Sequence, residues 1–227
     1  MNRIIAFLIF SSSIFILTSC SPVTPTISPE PIIVQYTAAA APWLADLYAC
    51  AGNNIVKAEL RAADFLFPEA ANLVMRIGQP AALTSPTYQV DTEDILVIVN
   101  TQNPLNKLTH EQVRGLFTGQ TLNWKDIDGL DAPVQVWVYA SGEDVQQIFS
   151  QTALSGSPVT SSARLTTGPN EMTQAVAGDV NAIGILTRHW KANDVSDVFT
   201  VTTVPVLAIT PSEPRTDINN ILACMQK

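Results

Sequence analysis

Apolar positions fall along the chain in short runs broken by polar turns, and the runs alternate between two periodicities. Ile32-Ile33-Val34 predicts a short strand, and Trp43, Leu44, Leu47 and Tyr48 predict a helix from Ala38 to Ala51, stopped by Gly52-Asn53. Ile55 to Leu60 and Leu73 to Ile77 read as strands. Ile95-Leu96-Val97-Ile98-Val99 is a continuous, mostly β-branched run, as suits a strand covered on both faces. Thr109-His110-Glu111-Gln112 is a capping box opening a helix with Val113, Leu116 and Phe117 inward and Gly119 as its left-handed stop. His110 then falls in an exposed first turn. Val134 to Tyr139 alternates, placing Val134, Val136 and Val138 on one face and Gln135, Trp137 and Tyr139 on the other. Ser141-Gly142-Glu143-Asp144 opens a helix that turns Val145, Ile148 and Phe149 to the core. A helix at Glu171 to Ala177, strands at Ala182 to Leu186, Val198 to Thr202 and Val206 to Ile209, and a helix from Asp217 to Met225 capped by Thr216 complete the pattern. Strands alternating with helices predict an α/β fold.

The first segment departs from this alternation. Arg3 precedes an uncharged apolar stretch from Ile4 to Leu17 that is too short for the roughly twenty residues of a membrane span. It ends at Leu17-Thr18-Ser19-Cys20, which is similar to the bacterial lipobox, so residues 1–19 are expected to be a secretory signal and Cys20 a lipidated N-terminus. Residues 20–31 carry four prolines among Ser and Thr and read as an extended spacer holding a domain off the lipid. The expected location is the cell envelope, on the extracytoplasmic side. That compartment permits disulfides. Cys50 and Cys224 each lie on the apolar side of a helix, either as two buried thiols or as one bridge between the chain's beginning and end.

Composition narrows the function. The chain has 227 residues, 47% hydrophobic, with 12 Lys plus Arg against 20 Asp plus Glu and a formal charge of −8. Such an acidic chain is a poor ligand for nucleic acid. Three cysteines and two histidines, scattered singly, offer no metal-ligand spacing, and no cofactor motif is present. No nucleophile elbow, phosphate-cradling Gly-rich loop or Cys/His pairing points to an enzyme.

The run Ile95 to Asn100, Asn103-Pro104-Leu105, Leu108-Thr109, Gln112 to Gly119 and Asn123-Trp124-Lys125-Asp126-Ile127, followed by Ser141-Gly142 and Ala182-Ile183-Gly184, resembles the PstS-like phosphate-binding family of periplasmic-type solute-binding proteins. The resemblance implies a periplasmic-binding-protein-like fold of two α/β lobes with two hinge crossings, residues 32–99 plus 200–227 forming one lobe and 100–199 the other. It also implies a monomer holding a small polar solute between the lobes and serving an ABC permease, with the membrane reached only through the lipid. In that family helix N-termini, hydroxyls and an arginine hold the oxyanion. Here the first loop keeps only Thr37 as a hydroxyl, in Tyr36-Thr37-Ala38-Ala39-Ala40. The second, Leu60-Arg61-Ala62-Ala63-Asp64, lacks Gly and Ser. The motif Arg-x-x-x-Ser-Gly-Thr reads Trp137-Val138-Tyr139-Ala140-Ser141-Gly142-Glu143, so Trp137 replaces the arginine and Glu143 the threonine.

A carboxylate about 4 Å from an anion repels it by roughly 4 kcal/mol at an intermediate dielectric, close to a thousandfold in affinity. Glu143 either faces the cleft with that effect or points to solvent at a helix start. Arg61 and Arg76 are candidate replacement cations, and Trp137 with Tyr139 is a candidate aromatic wall for a polar or cationic ligand. Two functions follow: a lipid-anchored solute-binding protein, or a non-transport relative that keeps the lobes as a surface interaction or sensing module after losing the phosphate site.

Overall fold

The computed structural model describes residues 30–226. The signal segment, Cys20 and nearly all of the spacer therefore lie outside the described residues. One eight-stranded sheet runs through the molecule in the order β2-β1-β3-β8-β4-β7-β5-β6. Its strands are β1 (Ile32–Tyr36), β2 (Val56–Leu60), β3 (Leu73–Ile77), β4 (Thr87–Asn100), β5 (Gln135–Tyr139), β6 (Arg164–Thr166), β7 (Ala182–Thr187) and β8 (Val195–Ile209). The helices are α1 (Leu44–Ala51), α2 (His110–Thr118), α3 (Asp144–Thr152), α4 (Pro169–Ala177) and α5 (Thr216–Met225). β1, β2 and β3 pair in parallel and, with α1 and α5, build the first lobe. β5, β6 and β7 are likewise parallel and, with α2, α3 and α4, build the second.

β4 and β8 are the two crossings. They pair antiparallel from Thr87↔Ile209 to Asn100↔Val195, β8 meeting β3 at its C-terminal end and β4 meeting β7 at Ile95 to Val99. β4 reaches back beyond the apolar run to Thr87 because side-chain bonds hold its polar half. Asp91 accepts from Trp43 Nε1 at 2.9 Å, Asp94 from Arg188 Nε at 2.8 Å and from the Thr203 hydroxyl at 2.6 Å, and Glu93 pairs with His189 Nδ1 at 2.8 Å.

Three sequence expectations need correction. The stretch expected to be one helix from Ala38 divides into a 3-10 turn, Ala38–Trp43, and α1, since Pro42 has no N–H to continue an α-helical ladder. The two strands expected at 198–202 and 206–209 are the single β8. Pro205 is tolerated because it lies just past the β3 pairing, where its carbonyl accepts from the Gly78 amide at 2.8 Å and β3 itself asks for no N–H from it. Thr216 is the first residue of α5 rather than its cap, and Arg215 stands at the cap, its guanidinium bonded to Asp217 and making no cap bond. The Thr109 capping box and the left-handed Gly119 are present.

The core is continuous across both lobes, joining Leu47, Met75 and Ile77 to Leu96, Ile98, Phe117, Trp124 and Phe149. Phe117 and Phe149 meet edge to face with centroids 4.6 Å apart, and the Trp124 indole donates to the Asn181 carbonyl at 3.0 Å. Cys50 on α1 and Cys224 on α5 are disulfide-bonded with Cα atoms 5.7 Å apart.

Candidate functional site

The lobes meet where the start of α3 faces the ends of β1 and β3. Thr37, at the end of β1, is fully buried, and its hydroxyl donates to Asp144 Oδ2 at 2.7 Å. The Ile77 amide, at the end of β3, donates to the same oxygen at 3.1 Å, and the Val145 amide donates to Oδ1 at 2.9 Å. A hydroxyl, a strand-end amide and a helix-start amide form the donor set that holds an oxyanion. Here the oxyanion is the chain's own carboxylate.

Other contacts fix α3 to the first lobe. The Asp64 amide donates to the Gly142 carbonyl at 3.2 Å, and Gln147 Nε2 donates to Asp64 Oδ1 at 2.7 Å. A Cβ on Gly142 would lie 3.0 Å from Asp64 Oδ2, and one on Gly78, whose φ is +65°, would lie 2.5 Å from Ile148 Cδ1. Gly78 is held to glycine by its positive φ, and at Gly142 a side chain would press on Asp64 of the facing lobe.

The space left beside Asp144 is about 10 Å³, enclosed by Ala38, Ala39, Tyr139, Glu143, Val145 and the Thr167–Pro169 turn. That is room for about one water molecule, and a five-atom tetrahedral oxyanion needs several times more. Glu143 is half-buried at the cap position of α3 but makes no side-chain cap bond. Burial first, then the charges of Asp144 and Asp64, push its pKa up from 4.5 to about 7. Burial also raises the pKa of Asp144, against the opposing bonds from Thr37 and Ile77 and the charge of Arg76. Tyr139 is buried, its hydroxyl has no partner among the described residues, and its pKa is raised by burial and by Asp144 and Glu143.

The structure brings Thr37, Gly142, Glu143 and Tyr139 to this junction and leaves three other candidates outside it. Ser141 is exposed and lines a separate cavity with Ser150 and Ser157. Trp137 is half-buried under the Arg164 guanidinium, 5.5 Å from the ring centroid, so this aromatic face already has a cation. Arg61 is exposed and bound to Glu59 at 2.8 Å, where Lys57 also pairs. The residue that sequence reasoning missed is Asp144. Its only signal was the consecutive acid pair Glu143-Asp144 at a helix start.

A second interlobe cavity opens at the mouth of the cleft, with a volume of about 280 Å³. Tyr36 and Leu60 wall it from the first lobe, and Pro169, Asn170, Glu171 and Trp190 from the second. Trp190 Nε1 is buried without a partner among the described residues.

Two lobes, two crossing strands and a helix start facing strand ends define a two-lobed solute-binding fold. The chain belongs to the PBP superfamily, whose domain matches residues 87–220. Among solved structures the fold is shared with a Clostridium perfringens protein with bound phosphate, described as a phosphate ABC transporter substrate-binding protein. The TM-score is 0.77 at 18% identity over 86% of this chain and 93% of that one. An ABC-type phosphate transport receptor from Vibrio cholerae gives 0.67 at 19% identity, over 86% and 93%. A reduced form of OxyR from N. meningitidis gives 0.65 at 12%, over 87% and 94%. At these identities the likeness is one of fold.

Proposed function

We propose that this chain is an extracytoplasmic solute-binding protein whose interlobe ligand is a small neutral or cationic polar molecule and not phosphate. It is tethered through a lipidated Cys20 after removal of residues 1–19, with residues 20–31 as spacer. Its lobes are residues 32–99 with 200–227, and residues 100–199. It acts as a monomer that delivers its solute to an ABC permease. The observation that carries the choice of ligand is the Asp144 carboxylate, bound by Thr37 and Ile77 in the oxyanion cradle, with Glu143 beside it. Phosphate entering there would have to displace one negative charge and approach a second. The cleft-mouth cavity supports the alternative ligand chemistry. Tyr36 and Trp190 offer aromatic faces, Glu171 a negative charge, and the volume lies just below the range of drug-sized ligand sites.

A ligand that binds only the folded state raises the melting temperature. Thermal unfolding should show a shift with at least one polyamine, amino acid or sugar, and none with phosphate, sulfate or molybdate. Trp190→Ala should abolish the shift. A shift with phosphate contradicts the reading.

The nearly filled junction favours a second reading, a non-transport surface module that keeps the lobes latched. Absence of any small-molecule shift, together with recovery of a protein partner by the folded chain, selects it over the first.

A further inference from the structure

We propose that Arg76 anchors a second binding site, on the face of the first lobe turned away from α1, for a monocarboxylate carried on an apolar group. Along β3, Leu73, Met75 and Ile77 pack into the main core, while Val74 and Arg76 alternate onto the opposite face. There Val74 joins a small separate cluster with Ala71, Leu207 and Ile209. Beside it lies a cavity of about 260 Å³ lined by Arg76 together with Leu66, Val74, Leu83 and Ile209. This site shares no lining residue with the cleft-mouth cavity.

Arg76 is only 7% exposed, yet it has no ion pair among the described residues. Its single hydrogen bond is a long one, 3.4 Å from Nε to the Ile77 carbonyl. The ion-paired arginines among the described residues, Arg61, Arg188 and Arg215, are exposed and bonded to carboxylates, while Arg114 bonds Ser157 and Arg164 stacks on Trp137. Its terminal nitrogens have no protein partner and are not sealed from the cavity, and a planar fork so placed fits a carboxylate in bidentate fashion. Asp144 and Asp64 attract it through space, but burial still lowers its pKa, so their compensation is incomplete.

The walls select the rest of the ligand. Four apolar side chains suit a hydrocarbon body, and the Thr84 and Ser85 residues beside them can bond a polar edge. Glu69 lines the same cavity from an exposed position and opposes a second negative charge, which favours monocarboxylates over dicarboxylates and over phosphate. The same chemistry is offered by a free short-chain acid and by the C-terminus of a peptide ending in an apolar residue.

The test is calorimetric titration of the folded chain with hexanoate, hexanol, adipate and phosphate, and with a leucine-ending tripeptide as free acid and as amide. Hexanoate should bind; hexanol, phosphate and the tripeptide amide should not, and adipate should bind more weakly. Arg76→Leu should weaken hexanoate at least about tenfold, as expected for losing charge-assisted bonds. Ala82→Trp, which fills the cavity and keeps the arginine, should weaken it similarly. This second variant tests the site even if Arg76→Leu fails to fold. Tighter binding of the tripeptide acid than of hexanoate identifies a chain terminus as the source, and the reverse order a free acid; either supports the carboxylate assignment. Hexanoate binding equally well to wild type and to folded Arg76→Leu or Ala82→Trp, or binding of no carboxylate at all, overturns it.

Discussion

Asp144 fills, from within the chain, a donor set of the kind that holds small anions. A carboxylate at the start of a helix is ordinarily solvated and mildly favourable to the helix dipole. Held instead between a buried hydroxyl and a strand-end amide, it fills that donor set from within the chain and links the lobes. Asp144→Ala leaves the Thr37 hydroxyl and the Ile77 amide without their acceptor, a loss of about 1–3 kcal/mol. Thermal unfolding should show a lower melting temperature, and added formate should restore part of it by refilling the cradle. Glu143 adds a pH dependence. Its pKa is raised on folding, so its favourable contribution is complete below the unfolded value of 4.5 and is lost as pH rises through about 7. Asp144, also raised, acts in the same direction. The lowered pKa values of Asp94, Glu171 and Asp197 act oppositely, their stabilisation being lost only as pH falls through the acid range. Melting temperature should therefore peak at mildly acidic pH and fall towards pH 8. Glu143→Gln should flatten that fall, and an unchanged slope in the variant contradicts the assignment.

Among the elements, α3 and the α1–α5 pair carry the most weight. α3 and the turn before it meet the first lobe at Ile148, which lies against Gly78, and at Gly142, where an added Cβ would press on Asp64. Gly142→Val should separate the lobes and expose Asp144, lowering the melting temperature even though the substitution lies outside the core. The Cys50–Cys224 bond closes a loop with a sequence separation of 174, so replacing both cysteines with Ser should cost about 2–5 kcal/mol, read from denaturant unfolding. Alkylation of the unreduced protein should modify neither Cys50 nor Cys224. Much of this architecture was legible in the sequence, because the β-branched run at Ile95 to Val99, the Thr109 capping box and Gly119 each specify local geometry. The polar half of β4 was not, since Asp91, Glu93 and Asp94 become strand residues only through partners at Trp43, His189 and Arg188. The candidate site was legible in part. Thr37 and Glu143 were visible, but which of two adjacent acids turns inward depends on how the lobes dock, and that spacing lies in no local pattern. Arg61 illustrates the same limit, as its neighbour Glu59 captures it at the surface.

On the scale of the whole molecule, the crossing strands β4 and β8 join the lobes, and the Asp144 and Asp64 contacts hold them together with their junction nearly filled. A protein already closed gains little compaction from a ligand at the cleft mouth. Small-angle scattering should give the same radius of gyration with and without a bound solute, and a larger one for Asp144→Ala. The fold is shared both with phosphate receptors and with OxyR, so fold alone does not choose the ligand. The residues at the junction do. The most direct measurement is calorimetric titration of the wild-type chain with orthophosphate at neutral pH. Filling of the cradle by Asp144 predicts no heat of binding beyond dilution; saturable, tight phosphate binding by a chain that still carries Asp144 contradicts it.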